Sequence, residues 1–263
     1  MSVLFLMVGR GGSKGVPGKN LKKIGGLSLI GWKARAAHAV MAELERGENN
    51  CRLVISTDCP EIQEEARRHG VEVPFTRPPE LATDNAPSSL VIQHALQTLG
   101  QEYTTVCLLE PSAPFATHNH ILDAFYMYCT KEAHLVVGMK HTEPHSSFIG
   151  EELEDKFITP IVIKMNNYGQ DTRRQARKQE WTMNGALYIF SSALFWDDVF
   201  IYPHDTRSIY NGARNYGYLM DHWHSIEIDS PRDLEMAEYA VANGYVEVPK
   251  LVTISQKVVS LFK

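Results

Sequence analysis

The first apolar run, Val3 to Val8, is unbroken and ends in glycine, the pattern of a strand buried on both faces of a parallel sheet. Beyond a glycine-rich stretch, Leu29, Ile30, Trp32, Ala36, Ala37 and Val40 recur at helical spacing. A second strand is expected at 52–56 (RLVIS). Thr57 to Glu61 then supplies a cap, a proline at the first helical position and an acidic first turn, for a helix ending near His69-Gly70. A short strand is expected over Val71–Phe75, a helix over Ser88–Leu99, a strand over Thr105–Leu109, a helix over Asn119–Cys129 and a strand over Leu135–Met139. Strand and helix alternate regularly, which predicts a mostly parallel, doubly wound α/β sheet with helices on both faces.

The alternation fails between Lys140 and Thr182, a polar stretch with prolines at 144 and 160. We read 140–183 as an insertion, a β-arm for subunit contact. The sheet is expected to resume at Gly185–Phe190 and at Ser225–Asp229 (SIEID). Ser230 then caps a last helix, with Asp233 near its first-turn amides. The tail from Val246 is expected to pack on the core or on a second subunit. Residues 1–263 are thus read as one domain carrying an arm.

Composition adds limits. The chain has 263 residues, 44% apolar, and a formal net charge of −5, which argues against broad nucleic-acid or anionic-membrane binding. Any phosphate ligand therefore needs a local basic site. Four cysteines without CxxC spacing read as buried free thiols of a reducing compartment. The start of the chain has no leader pattern, and no stretch reaches the ~18 apolar residues needed to span a bilayer, so a cytoplasmic protein is expected.

The strongest chemical signal is GRGGSKGVPGKN at 9–20, directly after the first strand. Glycines permit positive φ and inward-turned N–H groups, which make an anion-binding concavity. Arg10, Lys14 and Lys19 add three positive charges, which suits a polyphosphate. A Walker A loop would need glycine at Ser13 and Ser or Thr at Asn20. A dinucleotide fingerprint from Gly9 would need glycine at Lys14. Both are excluded.

The loop resembles the opening of the CMP-sialic acid synthetases, cytidylyltransferases that activate ulosonic acids. The resemblance continues in STD at 56–58, RPPELATD at 77–84, LLEPSAP at 108–114, NGALYI at 184–189 and IEIDSP at 226–231, in order over residues 3 to 240. It implies a sheet of the nucleotidyltransferase (glycosyltransferase-A-like) type and transfer of CMP from CTP to a 2-keto sugar acid, with release of pyrophosphate. Arg10, Gly11, Gly12, Ser13, Lys19, Asn20, Arg77, Ala86 and Ser88 would then frame the nucleotide. Arg10, Lys19 and Asp229 would carry the catalysis. Glu110, His141, Arg174, Gln175 and Asn184 would meet the sugar. Glu227 and Asp229 would hold Mg²⁺ through hard carboxylate oxygens, and their i, i+2 spacing on a strand would turn both to one face. A homodimer is implied as well.

Two positions depart from the family pattern: Glu227 stands where relatives carry Asp, and Glu110 where relatives carry a Gln that hydrogen-bonds the sugar. An ionised carboxylate accepts but cannot donate. Either the sugar presents donors at Glu110, or that carboxyl is protonated, which points to an acceptor such as legionaminate, pseudaminate or an amino-substituted ulosonate. The histidine pairs 118/120, 141/145 and 222/224 have ligand-like spacing but no cysteine or third histidine to complete a zinc set. Rival readings are a Kdo-type acceptor, a metal-dependent glycosyltransferase and a non-catalytic nucleotide- or sugar-binding relative.

Overall fold

A computed structural model of the chain describes residues 1–100, 103–142, 178–193 and 214–250. Its strands are β1 (Ser2–Val8), β2 (Lys23–Ile24), β3 (Leu27–Ser28), β4 (Asn50–Ser56), β5 (Thr105–Leu109), β6 (Leu135–His141), β7 (Trp181–Ser191) and β8 (Asn215–Leu219). The helices are α1 (Leu29–Arg46), α2 (Pro60–Arg68), α3 (Ser88–Leu99), α4 (His118–Thr130) and α5 (Pro231–Ala242). Among the described residues, six strands form one sheet in the order β4-β1-β5-β7-β6-β8, and β2 and β3 form a separate hairpin. Within the sheet β1, β4, β5, β6 and β8 run one way, while β7 runs against β5 and β6.

The burial of β1 explains its unbroken apolar run. Val3, Phe5 and Met7 face one core with α1, α2 and α4, while Leu4 and Leu6 face a second core under α3. Phe5 is fully buried, and its truncation to alanine would cost about 3–5 kcal/mol. A third cluster joins Trp32 and Phe115, edge to face at 4.9 Å, to Ile226, Ile228 and α5. This cluster holds the last described segment against the first loop.

Caps fall where short polar side chains precede a helix. Ser28 Oγ accepts the Gly31 N–H at α1, and capping boxes pair Thr117 with His120 and Ser230 with Asp233. Pro60 begins α2, and Thr57 Oγ1 accepts the Cys59 N–H just ahead of it. Among the described residues no helix is long and apolar enough to cross a membrane.

Several expectations are corrected. Val71–Phe75 is not a strand; only Glu72 bridges to Val54, and Pro74 lacks the N–H a ladder needs. Ser225–Asp229 is not a strand: Ser225 closes a 3-10 turn (Trp223–Ser225), and residues 226–229 are unladdered, tied by Ile228 N–H to Ser112 O at 2.7 Å. The edge strand β8 and the β2–β3 hairpin were not foreseen. Cys51 and Cys107 are buried thiols, but Cys59 is half-buried and Cys129 exposed.

The excursion after β6 leaves and returns on adjacent antiparallel strands, with Lys140 opposite Thr182 and His141 opposite Trp181. Residues 143–177, with Arg174 and Gln175, lie outside the described residues. Val246 is buried in the third cluster and Pro249 O accepts from Arg35 at 2.7 Å, so the described part of the tail packs on the core.

Candidate active site

The C-terminal ends of β1, β4 and β5 and the segment after β8 come together at one side of the sheet. After β1 comes the glycine-rich loop, and the end of β4 holds it. Asp58 Oδ1 accepts the Gly11 N–H at 3.0 Å, and the buried Asn20 donates to Arg10 O at 3.2 Å. Asn20 therefore braces the loop from beneath. Only Gly18 in this loop has positive φ, at 63°. The other glycines serve close approach. A Cβ on Gly11 would lie 2.9 Å from Cys59 Cβ, and one on Gly15 would overlap the backbone oxygen of Asp229. Gly12 has nothing within 4 Å of a built Cβ. Among the described residues no acceptor takes the N–H of Gly12, Lys14 or Gly15, so these donors remain for an anion. Ser13 N–H turns back to Gly11 O.

Lys19 Nζ donates to Asp229 Oδ1 at 2.9 Å, across 210 positions of sequence. The loop and the acidic segment are thus neighbours, as the sequence reading requires. Ile226 and Ile228 anchor that segment in the third core, which leaves Glu227 and Asp229 on the other side even though no strand forms. Gly185, at φ 67°, makes room for Glu227, whose carboxylate atoms lie 2.8–3.1 Å from a Cβ built there. Burial and the Asp229 charge push the Glu227 carboxyl above its ordinary value, against the pull of Lys19 and Lys140. Together the two carboxylates offer hard oxygen ligands that fit a divalent cation.

Arg10 pairs with Asp84 at 2.5 Å, and Lys14 pairs with the other oxygen of that carboxylate. Arg77 is buried behind the loop, its Nε donating to Ser56 Oγ at 3.1 Å and its Nη2 to Ser56 O. Burial, with the Arg10 charge adding to it, lowers Arg77 to about 10 against the opposing pull of Asp58. Ala86 is half-buried on the loop before α3, and Ser88 opens that helix.

Ser88 also lines a cavity of about 370 Å³ with Glu110, Met183 and Tyr188, walled by Ile92, Leu135, Val137 and Phe190. Burial raises the Glu110 carboxyl to about 7, Glu227 and Asp229 push it the same way, and Lys33 and Lys19 oppose. Lys33 is a residue the apolar pattern of α1 concealed. It is fully buried, donates to Ala186 O at 2.7 Å, and is lowered by burial to about 7. Tyr188 rises to about 12 through burial and the two nearby glutamates.

Two expected sugar contacts stand differently. Asn184 is fully buried, its Nδ2 donating to Ser225 Oγ at 3.0 Å and its Oδ1 accepting from Ala186 N–H at 3.1 Å. That amide is spent on holding β7 to the segment before Glu227. His141 is exposed at the end of β6, its ring 6.2 Å from Trp181, whereas its neighbour Lys140 reaches Ser225 O at 3.5 Å and attracts Glu227. Asp58 and Asp84 lie in the sequence blocks STD and RPPELATD, and their role, holding Gly11 N–H and pairing Arg10 and Lys14, depends on the folded loop.

A basic glycine loop abutting a carboxylate pair at one edge of a mostly parallel sheet is the layout of a nucleotidyltransferase. A family model described as cytidylyltransferase matches residues 4–177, and the chain belongs to that family. The pseudaminic acid cytidylyltransferase of Campylobacter jejuni (serotype O:23/36) is 28% identical over 90% of this chain and 95% of its own. The N-acylneuraminate cytidylyltransferase of Escherichia coli O18:K1:H7 is 28% identical over 89% of this chain but only 51% of its own, so the chain spans about half of that relative. The fold is shared with a CMP-2-keto-3-deoxy-manno-octonic acid synthetase solved with CTP, at TM-score 0.65 and 13% identity, over 93% of this chain and 100% of that one.

Proposed function

We propose that the protein transfers CMP from CTP to the anomeric hydroxyl of a nine-carbon 2-keto sugar acid of the sialic, pseudaminic or legionaminic kind. The observation that carries the reading is the closure of the glycine loop on the acidic segment, through Gly15 and the 2.9 Å Lys19–Asp229 pair. The names of the relatives supply the substrate class.

In this reading the anomeric oxygen attacks the α-phosphorus in line, the bond to the β-phosphate oxygen breaks, and pyrophosphate leaves. The free N–H groups of Gly12, Lys14 and Gly15, with Arg10 and Lys14, hold the phosphates. Arg10 and Lys19 neutralise charge that builds up on the α-phosphate and the leaving group. Arg77, Ala86 and Ser88 frame the nucleoside. Glu227 and Asp229 would hold Mg²⁺, which as a Lewis acid offsets phosphate charge. No covalent enzyme intermediate is needed.

The cavity beside Glu110 is the acceptor's place. Its apolar walls suit acetamido methyl groups, and a Glu110 carboxyl raised to about 7 can donate a hydrogen bond when protonated. His141, Arg174 and Gln175 remain assigned to the acceptor by resemblance, and Asn184 acts one step behind it. The exposed Trp181, at the root of the excursion, is the face offered to a second copy of the chain in a homodimer. Soluble substrates make the cytoplasm the expected compartment.

The test is pyrophosphate release from CTP and Mg²⁺ with N-acetylneuraminate, pseudaminate, legionaminate and Kdo. Turnover with a nine-carbon acid is expected. Turnover with Kdo alone would move the reading to eight-carbon acceptors, and CTP binding without turnover would make the protein a binding module.

A further inference from the structure

Away from the phosphate loop, the fold brings together two histidines and a carboxylate that the proposed reaction does not use. His120 stands in the first turn of α4, and Asp221 and His224 follow β8. One ligand-capable atom from each lies within 4.8 Å of the other two. The imidazole rings meet edge to face, their centroids 4.8 Å apart at 76°. Of the paired histidines in the sequence, His118 and His222 are not part of the cluster.

Each member is held in place. Asp221 Oδ1 accepts the N–H of Trp223 at 2.9 Å and of His224 at 3.1 Å, while Oδ2 lies 2.7 Å from His224 Nδ1. A proton sits between that oxygen and that nitrogen. His120 is tethered through Nδ1, which accepts the Thr117 N–H at 3.2 Å, so Nε2 is the atom it can offer. Burial, and the His224 charge after it, lowers His120 to about 4, so its ring is neutral at pH 7. Solvent reaches the cluster from the Asp221 side, where 54% of that side chain is exposed.

We propose that His120 Nε2, His224 Nδ1 and an Asp221 oxygen bind one transition-metal dication of the zinc or nickel class, with water completing the shell. Two imidazoles and one carboxylate are a donor set that such ions prefer, and that Mg²⁺ does not. The ion takes the position of the proton shared by Asp221 and His224. The His120 proton moves to Nδ1, and the His224 Nδ1 proton is displaced to Nε2 or, where Nε2 already carries one, to water. Zinc–ligand bonds of about 2.0–2.2 Å draw the three atoms closer than they stand without the ion. Thr117 N–H then loses its acceptor and turns to water. The bound ion clamps the start of α4 to the loop that continues through Ser225, the partner of Asn184, to Glu227. It is a structural or regulatory site, and it does not rest on the proposed reaction.

The chelator-stripped chain is titrated with Zn²⁺ by calorimetry, beside His120→Ala, His224→Ala and Asp221→Asn, with a cooperative thermal unfolding transition verifying that each variant is folded. One Zn²⁺ per chain is expected, each substitution weakening it about tenfold or more. In a ¹⁵N spectrum the Thr117 amide should move on Zn²⁺ addition. Absence of saturable binding by the unaltered chain, or binding equally tight in both histidine variants, would overturn the assignment, since the ion would then sit on other histidines. Pyrophosphate release with Mg²⁺ by the zinc-free chain reads the proposed function separately.

Discussion

At the β1 end of the cleft, charged groups lie near the surface and meet each other directly, Arg10 and Lys14 on Asp84 and Lys19 on Asp229. Around Glu110 the charges are enclosed, and they act on one another through a poorly solvated interior that displaces their protonation: Glu110 and Lys33 both come to about 7, from opposite sides. The first region offers backbone donors and ion pairs that, in the proposed reading, a phosphate ligand would displace. In the second region the charges on Glu110 and Lys33 both depend on pH near neutrality. In the proposed reading, phosphate capture falls to the more solvated region and acceptor choice to the enclosed one.

Four experiments would break or sharpen the contrast. The largest effect is expected for Lys19→Ala, which removes the cation bonded to Asp229 and assigned to the phosphates in the proposed reading. Its kcat for pyrophosphate release should fall about 10²–10³-fold, and a loss below tenfold would remove Lys19 from the chemistry.

Next comes Gly15→Ala against Gly12→Ala. The first forces a Cβ into the Asp229 backbone and should destabilise the fold by about 1–3 kcal/mol in a denaturant titration. The second meets open space, so its stability should match the parent while CTP binding weakens. Equal stability in both variants would mean that the loop does not lie against the acidic segment.

The third experiment is Glu110→Gln across pH. Glu110 ionises near 4.3 in the unfolded chain and near about 7 in the folded one. Between these values the folded state holds the extra proton, so this carboxyl's contribution to stability falls as pH rises through the window and levels off above about 7. Glu110→Gln should therefore melt higher than the parent at pH 8, with the gap closing towards pH 5. A gap independent of pH would show that Glu110 is ionised throughout. The smallest effect is expected for Asp84→Asn, which frees Arg10 and Lys14 from a surface pair and should tighten CTP binding about two- to fivefold in equilibrium titration.

Much of the scaffold was legible because its signals are local. The apolar runs of β1 and β5, the helical spacing of α1 and the Ser230–Asp233 box act over a few residues, and the elements form where these signals stand. The antiparallel course of β7 was not legible, since direction within a sheet depends on a partner chosen elsewhere in the chain. β8 (NYGYL) is a half-exposed edge strand whose pattern carries little apolar signal. Lys33 hides in α1 because a lysine there reads as solvated, whereas its partners, the carbonyl of Ala186 and the nearby Glu110, lie far along the chain.

By itself the sequence determined the glycine loop, its charges, the acid pair and the order of the blocks that mark the family, because these are properties of neighbouring residues. Only the tertiary structure decided that Gly15 and Lys19 touch Asp229, that Asn184 looks inward, that Glu110 is half-neutral near pH 7, and that His120 meets His224. Each of these depends on burial or on proximity between distant positions. Both are set by how helices and strands pack rather than by what stands next in the chain.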